Sequence, residues 1–583
     1  MKNKKTGIMA LILSLTLLCG CGRTDMVLER EEGGIAEKIL NYIYPTSYVH
    51  NPEGVCFEDI EYVRPDLDKL LAEGSEVMEL LGRSLNYFRV TSMLDTVYED
   101  YYNFMTMYTV ANIRSLHDLT DEYYAVEYQW CAEASGQVGE LFDDICYACA
   151  DSRLSDLLET YYFWDGFEDD YDNEDDSVYN EKSIALMREE NALISEYRSI
   201  MAEPTVEWDG CEQSYAQLFD SVEEERLSEL IYSYYEKYSE LLGELYIRMV
   251  DVRRRLAEAM GYDSYEQLQY ERTYDRDYTP EDAERYIESI KHFMVPLYKE
   301  LDENGEYDTE TADYSSGLLK KDLQQIISAI GGTADEAMDV MLEYGLCDLE
   351  DGAHKAEMSF ETYLEDYCVP FLFVDPAGNI SDLMVAIHEM GHYTDDYLNF
   401  NAYRSLDVSE CFSMGLEYLS LDYLDSALDA ETAQALRRES LLDAVTAYVM
   451  QASYAEFESL VYSTDISELT VDKLREYSLR CAEDFGCSTE GLEDYYSMSW
   501  IEITHFFEAP LYVITYPVSN EIALQFYALE QETPGAGVEL YYSVMGAEYS
   551  TIEELAEGSE LKSPFELGRL GRTEAMLRAE LGY

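Results

Sequence analysis

The histidines carry the most chemical information, because the chain has only 7 of them among 583 residues. His388 and His392 are four residues apart with Glu389 between them, in the pattern His-Glu-Met-Gly-His. On a helix this spacing places both imidazoles on one face, one turn apart, where they can bind one zinc ion. Glu389 would then reach a water molecule beside the metal. The alternative is a pair of ordinary surface histidines on an acidic helix.

A third metal ligand is available downstream, in the stretch Asp-Val-Ser-Glu-Cys-Phe-Ser-Met-Gly-Leu-Glu that ends at Glu417. Glu410 and Glu417 are seven residues apart, two helical turns, and so share a face. If that face meets the first helix, Glu410 can bind the metal. Glu417 can then accept the free N–H of a histidine ligand and orient its ring. Glu410 could instead be a solvated surface charge, but its otherwise apolar stretch favours a ligand.

These residues must be positioned by helices. From about residue 35 onward, the spacing of apolar residues predicts helix almost throughout the chain. Apolar residues recur three and four apart in stretches such as Leu227–Met249. We therefore expect an all-α, predominantly helical protein. The clearest strand is Tyr367–Asp375, which is followed by a Pro-Ala-Gly-Asn turn. It lies next to the predicted helix that carries His388 and His392. Asn379 or Ser381 is the expected cap of that helix, and Val206–Gly210 is an expected break.

Composition narrows the function. Hydrophobic residues make up 47% of the chain, which is enough for a large core. Lys+Arg number 39 and Asp+Glu 121, giving a net charge of −82 that argues against nucleic-acid partners. The segment Phe163–Glu181 is the most acidic and predicts an exposed loop. We expect a helical domain over residues 35–200 and a catalytic domain over residues 201–583.

The cysteines after the N-terminal region are scattered, which is not typical of a disulfide scaffold. Cys146 and Cys149 form a lone CxxC motif without a second pair, so we expect buried free thiols or an occasional disulfide rather than a metal or redox site.

The N-terminus reads as an export signal over residues 1–20. Three lysines precede an apolar run, Ile8–Leu18, which is too short for a stable transmembrane helix. The sequence Leu-Cys-Gly-Cys ending at Cys21 resembles a bacterial lipobox, and an ordinary signal peptide is the alternative. We expect residues 21–34 to be a lipidated tether. The protein would be extracytoplasmic, anchored through Cys21 to the outer face of a bacterial cell membrane.

The motif His388-Glu-Met-Gly-His392, followed by Glu410-x-x-Ser-x-x-x-Glu417, resembles the thimet oligopeptidase/oligoendopeptidase F family of zinc metallopeptidases, and its bacterial oligoendopeptidase F branch most closely. Three other stretches are similar to that branch: Pro370–Asn379, Arg255–Pro280 and Ile503–Tyr516. The resemblance covers roughly residues 200–580 and implies two helical lobes around a deep channel that admits oligopeptides.

The resemblance also implies roles for single residues. One Zn²⁺ per chain would be held by His388, His392 and Glu410, with Glu389 as general base. His505 would bind the substrate backbone or the oxyanion. Tyr512 and Tyr516 would donate hydrogen bonds to the oxyanion; which is the main donor is open, because the small residues of the family pattern are missing after Tyr516.

We therefore expect a zinc-dependent metalloendopeptidase that cleaves oligopeptides with metal-activated water. The alternative is a lipoprotein that binds peptides or metal on a peptidase scaffold without catalysis. The presence of Glu389 favours the enzyme, since a binding protein has no chemical need for a general base.

Overall fold

The structure is a computed structural model that describes residues 50–51, 54–155, 158, 181–202, 204–219, 221–306, 314–399, 404–547 and 549–583. The predicted signal peptide, the Cys21 lipidation site, the tether and residues 163–180 of the acidic run lie outside these ranges. The residues from Gly54 to Tyr583 form one compact unit.

The described residues are predominantly α-helical with small strand elements, which confirms the predicted fold class. The helices are α1 Leu67–Leu81, α2 Tyr87–His117, α3 Glu122–Ala150, α4 Glu181–Ala202, α5 Tyr215–Phe219, α6 Glu224–Met260, α7 Tyr265–Leu268, α8 Pro280–Glu303, α9 Ser316–Ile330, α10 Thr333–Tyr344, α11 Asp382–Leu398, α12 Leu406–Ser420, α13 Ala430–Ser463, α14 Val471–Asp484, α15 Glu493–Met498, α16 His505–Glu508, α17 Thr515–Glu532, α18 Ala536–Met545, α19 Ile552–Gly558 and α20 Arg569–Leu581. The strands are β1 Thr205–Trp208, β2 Cys211–Ser214, β3 Cys347–Asp348, β4 Phe360–Leu364 and β5 Val369–Phe373.

The three-stranded sheet has the order β3-β5-β4, with β3 parallel and β4 antiparallel to β5. All five residues of β5 are buried, as expected of a central apolar strand. The predicted strand Tyr367–Asp375 is confirmed over Val369–Phe373. The expected break at Val206–Gly210 is instead strand β1, which pairs with β2 across a turn where Asp209 and Gly210 both have positive φ.

The hydrophobic core has two main parts. Helices α1 to α3 share a core of their own that includes Leu70, Leu94 and Phe104. Helix α4 packs against α6, and its apolar residues join the larger core of the following helices. The domain boundary near residue 200 stays a prediction.

Two further features are the state of the cysteines and the length and apolarity of the helices. Eight of the cysteines in the described ranges are free: Cys56, Cys131, Cys149, Cys211, Cys347, Cys411, Cys481 and Cys487. Within those ranges, none of the helices combines the length and apolarity that crossing a bilayer requires.

Of the two residues expected at the start of helix α11, Asn379 makes a side-chain bond and Ser381 does not. Asn379 Oδ1 accepts the backbone N–H of Ser381 at 2.9 Å, whereas Ser381 makes no side-chain capping bond. The buried Asp382 carboxylate also accepts the backbone N–H groups of Ala377, Gly378 and Asn379, at 2.9, 2.8 and 3.1 Å. The Asp382 carboxylate therefore holds the turn at residues 377–379 against the helix that follows it. A residue in the first turn of α11 thus fixes where the helix begins.

Helices α11 and α12 make their closest approach at Gly391. A Cβ atom there would lie 2.5 Å from Ser413 Cα and 2.7 Å from the carbonyl oxygen of Phe412. These are backbone atoms of α12, which no rotamer change can move away. Glycine at this position therefore sets the separation of the two helices.

We expect Gly391→Ala to destabilise the protein by about 1–3 kcal/mol, because the added methyl group must push the helices apart. The matched control is Gly139→Ala in α3, where a Cβ would meet no atom within 4 Å. It should stabilise by up to ~1 kcal/mol through helix propensity. Denaturant unfolding of both variants measures the contrast, and equal effects would contradict the close approach.

Candidate metal centre

The predicted metal ligands converge between α11 and α12. The ring centroids of His388 and His392 are 5.3 Å apart. Glu410 Oε2 lies 3.5 Å from His388 Nε2 and 3.9 Å from His392 Nε2. One donor atom from each of the three side chains lies within 4.8 Å of the other two. Two imidazole nitrogens and one carboxylate oxygen form a donor set that suits zinc.

Each imidazole is oriented through its other nitrogen. His388 Nδ1 is 3.3 Å from Glu417 Oε2, and His392 Nδ1 is 3.1 Å from Ser409 Oγ. These contacts leave both Nε2 atoms directed at Glu410. Partners of this kind fix the tautomer and the ring angle of a histidine ligand. Sequence analysis predicted the role of Glu417 but not that of Ser409, although Ser409 directly precedes Glu410.

The electrostatics keep Glu410 ionised. Burial alone would raise its pKa, but the hydrogen bond with His388 and the electrostatic interaction with both imidazoles lower the pKa of Glu410 to about 2. Ser413 Oγ and the Tyr512 hydroxyl also donate to this carboxylate, each at 3.0 Å. Burial lowers the pKa of His392 to about 4, so this ring is neutral at pH 7. Both are the protonation states that metal binding requires.

His388 behaves oppositely to His392 because it lies between two carboxylates. Burial lowers its pKa, but hydrogen bonds to Glu410 and Glu417 outweigh burial and raise the pKa overall.

Glu389 lies beside these ligands on α11. Burial raises the pKa of its carboxyl to about 7, and the Glu361 backbone N–H of strand β4 donates to it. A carboxyl with this pKa can accept and release a proton near neutral pH.

His505 and two tyrosines line the other side of the site. The His505 and Tyr512 rings stack with centroids 5.4 Å apart, and Tyr516 meets Tyr512 edge-on at 5.3 Å. Burial lowers the pKa of His505, raises that of Tyr516 to about 12 and raises that of Tyr512. The two phenols therefore keep their protons and can donate hydrogen bonds.

Arg276 holds the tyrosines against α12. Its guanidinium donates to the carbonyl oxygen of Leu511 at 3.0 Å and to Thr515 Oγ1 at 2.9 Å. Its Nε lies 3.4 Å from Asp407 Oδ2, and Asp407 also accepts the Tyr278 hydroxyl at 2.7 Å. Both charged side chains are at most 1% exposed. The buried ion pair between Arg276 and Asp407 thus joins residues 511–515, which include Tyr512, to the start of α12.

Arg253, on α6, fixes the segment that carries His505. It donates to the carbonyl oxygens of Phe506 and Phe507, at 2.8 and 2.6 Å. Its Nε donates to Glu190 of α4 at 2.7 Å. The two arginines were not predicted as functional. The signal that could have found Arg276 is its place in the tyrosine-rich stretch 274–278.

Two family models match the chain. Residues 57–167 match the peptidase M3 N-terminal domain, and residues 333–546 match peptidase family M3. Together the matches span more than half of the 583 residues. No protein with a curated description is significantly similar in sequence.

Solved structures share the fold over nearly their whole length. A protein assigned as an oligoendopeptidase F is 24% identical with a TM-score of 0.74, covering 91% of this chain and 99% of its own. Pz peptidase A, solved with an inhibitor, is 22% identical with a TM-score of 0.73 and coverages of 90% and 99%. A Bacillus anthracis protein assigned as an oligoendopeptidase F is 22% identical, with a TM-score of 0.71 and coverages of 91% and 98%.

We expect Arg276→Met to lower the free energy of unfolding by about 3–5 kcal/mol, because it leaves the Asp407 carboxylate buried without a cation. Arg285→Met is the control. It removes an arginine that is 70% exposed and pairs with Asp282 on the surface. Its effect should stay within about 0.5 kcal/mol. Urea unfolding measures both, and a small effect at Arg276 would contradict a stabilising role for the pair.

Proposed function

The chain belongs to peptidase family M3, and on this premise we propose that it is a zinc-dependent metalloendopeptidase that cleaves oligopeptides. The family supports a metallopeptidase. The observation that carries the finer proposal is the convergence of His388, His392 and Glu410 beside a carboxyl whose pKa is near 7.

The donor set fits zinc. The three side chains offer two nitrogen atoms and one oxygen atom, and the Glu417 and Ser409 contacts hold both rings with Nε2 toward Glu410. His388, His392 and Glu410 would hold the ion. When bound, zinc would act as a Lewis acid for the scissile carbonyl and lower the pKa of water.

Glu389 would take a proton from the attacking water and return it to the leaving amine. The near-neutral pKa of its carboxyl suits both transfers. Attack on an amide places negative charge on the carbonyl oxygen, and donors already in position stabilise that charge. His505, Tyr512 and Tyr516 would supply them. Tyr512 is the better placed, because its hydroxyl already reaches Glu410 Oε1 at 3.0 Å.

Oligopeptides are the proposed substrates on the ground of family membership and of the channel between two helical lobes that the family resemblance implies. The non-catalytic alternative, a peptide- or metal-binding protein, predicts the same ligands but no turnover.

The Glu389→Gln variant tests the mechanism. It keeps the size of the side chain but cannot accept a proton, so we expect kcat for a quenched fluorescent peptide to fall by about 10²–10⁴-fold. Zinc content, measured by atomic emission, should remain near one ion per chain because Glu389 is not a ligand.

Glu490→Gln, an exposed glutamate, is the control and should match the wild type. Full activity of Glu389→Gln would contradict the proposed general base. A wild-type protein that binds zinc and cleaves no peptide would favour the binding alternative.

We further propose that Cys21 is lipidated and anchors the protein to the outer face of a bacterial cell membrane. The support is the sequence Leu-Cys-Gly-Cys after the apolar run. Cys21→Ser should abolish labelling by radioactive palmitate and release the protein from the membrane fraction, while Cys19→Ser should leave the label in place. Label that persists in Cys21→Ser would contradict lipidation at this residue.

A further inference from the structure

Glu458 is a buried acid that the mechanism above does not use. It lies on α13 and is 0% exposed. Its Oε1 accepts the backbone N–H of Leu511 at 2.8 Å, and its Oε2 is a buried oxygen with no hydrogen-bond partner among the residues that the structure describes. A buried unpaired oxygen is unfavourable, and it is uncommon in folded proteins. An unfavourable buried acid directly beside Leu511 and Tyr512 indicates that Glu458 has a functional role.

Leu511 needs this contact because its backbone is left-handed, with φ of 65°. For a residue with a Cβ, this conformation costs about 1–2 kcal/mol. It persists only where the surroundings hold it. Here the N–H is held by Glu458 and the carbonyl oxygen by Arg276. Both ends of the residue before Tyr512 are therefore fixed by buried side chains.

Burial favours the neutral form of Glu458, and the two nearby arginines oppose it only in part. Arg253 and Arg276 are both near, but each already pairs with another carboxylate, Glu190 or Asp407. Burial raises the pKa of Glu458 to about 8. The carboxyl also lines a cavity of about 20 Å³, shared with Glu266 and Ile514. That is room for about one water molecule. A neutral acceptor is thus sufficient to hold Leu511.

We propose that Glu458 is a positioning residue for the peptidase reaction, which holds Leu511 left-handed and so directs the Tyr512 hydroxyl at the developing oxyanion. The inference rests on the proposed function. The path is short: Glu458 contacts Leu511, and Leu511 is bonded to Tyr512. Without the acceptor, Leu511 can relax out of the left-handed region and turn the phenol away.

The test compares Glu458→Gln with Glu458→Met. The Gln side chain keeps a neutral acceptor at the same length, whereas Met fills the space and accepts no hydrogen bond. Glu458→Gln should stay within about threefold of the wild-type kcat. Glu458→Met should lose about 10–100-fold in kcat, since misplacing one oxyanion donor has this effect. KM and zinc content should stay within about twofold of the wild type in both.

A double variant shows whether the effect passes through Tyr512. Glu458→Met combined with Tyr512→Phe should be no slower than Tyr512→Phe alone, because the hydroxyl to be positioned is already absent. Additive losses would overturn the proposal, as would a wild-type kcat in Glu458→Met. Glu458→Ala is the second non-accepting variant if the methionine cannot be accommodated.

Glu530→Met is the matched control for a merely structural loss. Glu530 is also a buried acid that accepts backbone N–H groups, from Gly535 at 2.7 Å and Gly537 at 3.0 Å. The variant should be less stable than the wild type but keep its kcat. A kcat loss equal to that of Glu458→Met would overturn the positioning role.

Amide hydrogen exchange separates this inference from the proposed function, because it does not depend on cleavage. Exchange at residues 505–516 should be faster in Glu458→Met and unchanged in Glu458→Gln. A wild type without peptidase activity would refute the proposed function, but the exchange rates would still show whether Glu458 fixes Leu511. Equal exchange in the wild type, Glu458→Met and Glu458→Gln would overturn the positioning role of Glu458.

Discussion

The separation between α11 and α12 is the constraint on which the site depends. Backbone of α12 occupies the space where a side chain at Gly391 would stand. At this separation, Glu410 Oε2 lies within 4 Å of both Nε2 atoms, and a wider gap would take the carboxylate out of range. The Tyr512 contact depends on it in turn, because the hydroxyl reaches the Glu410 carboxylate. One missing Cβ thus determines the position of four functional side chains.

The side of the site that carries His505 and the two tyrosines is held by charge in an unusually acidic chain. The segment between α16 and α17 is irregular, and its buried carbonyl groups need partners. Arg276 supplies one at Leu511, while Arg253 holds the carbonyl groups of Phe506 and Phe507 in α16. Each arginine is neutralised by one carboxylate, Asp407 for Arg276 and Glu190 for Arg253. A buried guanidinium is stable only with such a partner and with its donors used. The two arginines and their two carboxylates therefore neutralise one another in the interior, fix the geometry of the loop and position the tyrosines.

Sequence reasoning succeeded where the placement of side chains follows the helical repeat. The spacings within His388–His392 and Glu410–Glu417 are local, and each helix converts them into one face. The family resemblance added His505 and the tyrosines. The partners that hold them were not predictable, since Arg276 and Asp407, like Glu458 and Leu511, are distant in sequence. Strands β3 and β4 were missed because pairing with β5, not local pattern, makes them strands. Asp382 was missed because a cap accepts N–H groups of the helix, whereas this carboxylate accepts those of the turn before it.

Glu389 and Glu410 show how one residue type is given two different pKa values in one site. Both are largely buried, which raises the pKa of a carboxyl. Glu410 accepts hydrogen bonds from Ser413 and Tyr512 and interacts with both histidines, so its pKa falls to about 2. Glu389 has one backbone donor and a single nearby imidazole, so burial dominates and its pKa is about 7. The first stays an anion fit for a metal, and the second can exchange a proton. The division follows mainly from the two imidazoles, because Glu410 has a hydrogen bond with His388 and lies near both rings, whereas only the charge of His388 lowers the pKa of Glu389 from a side chain.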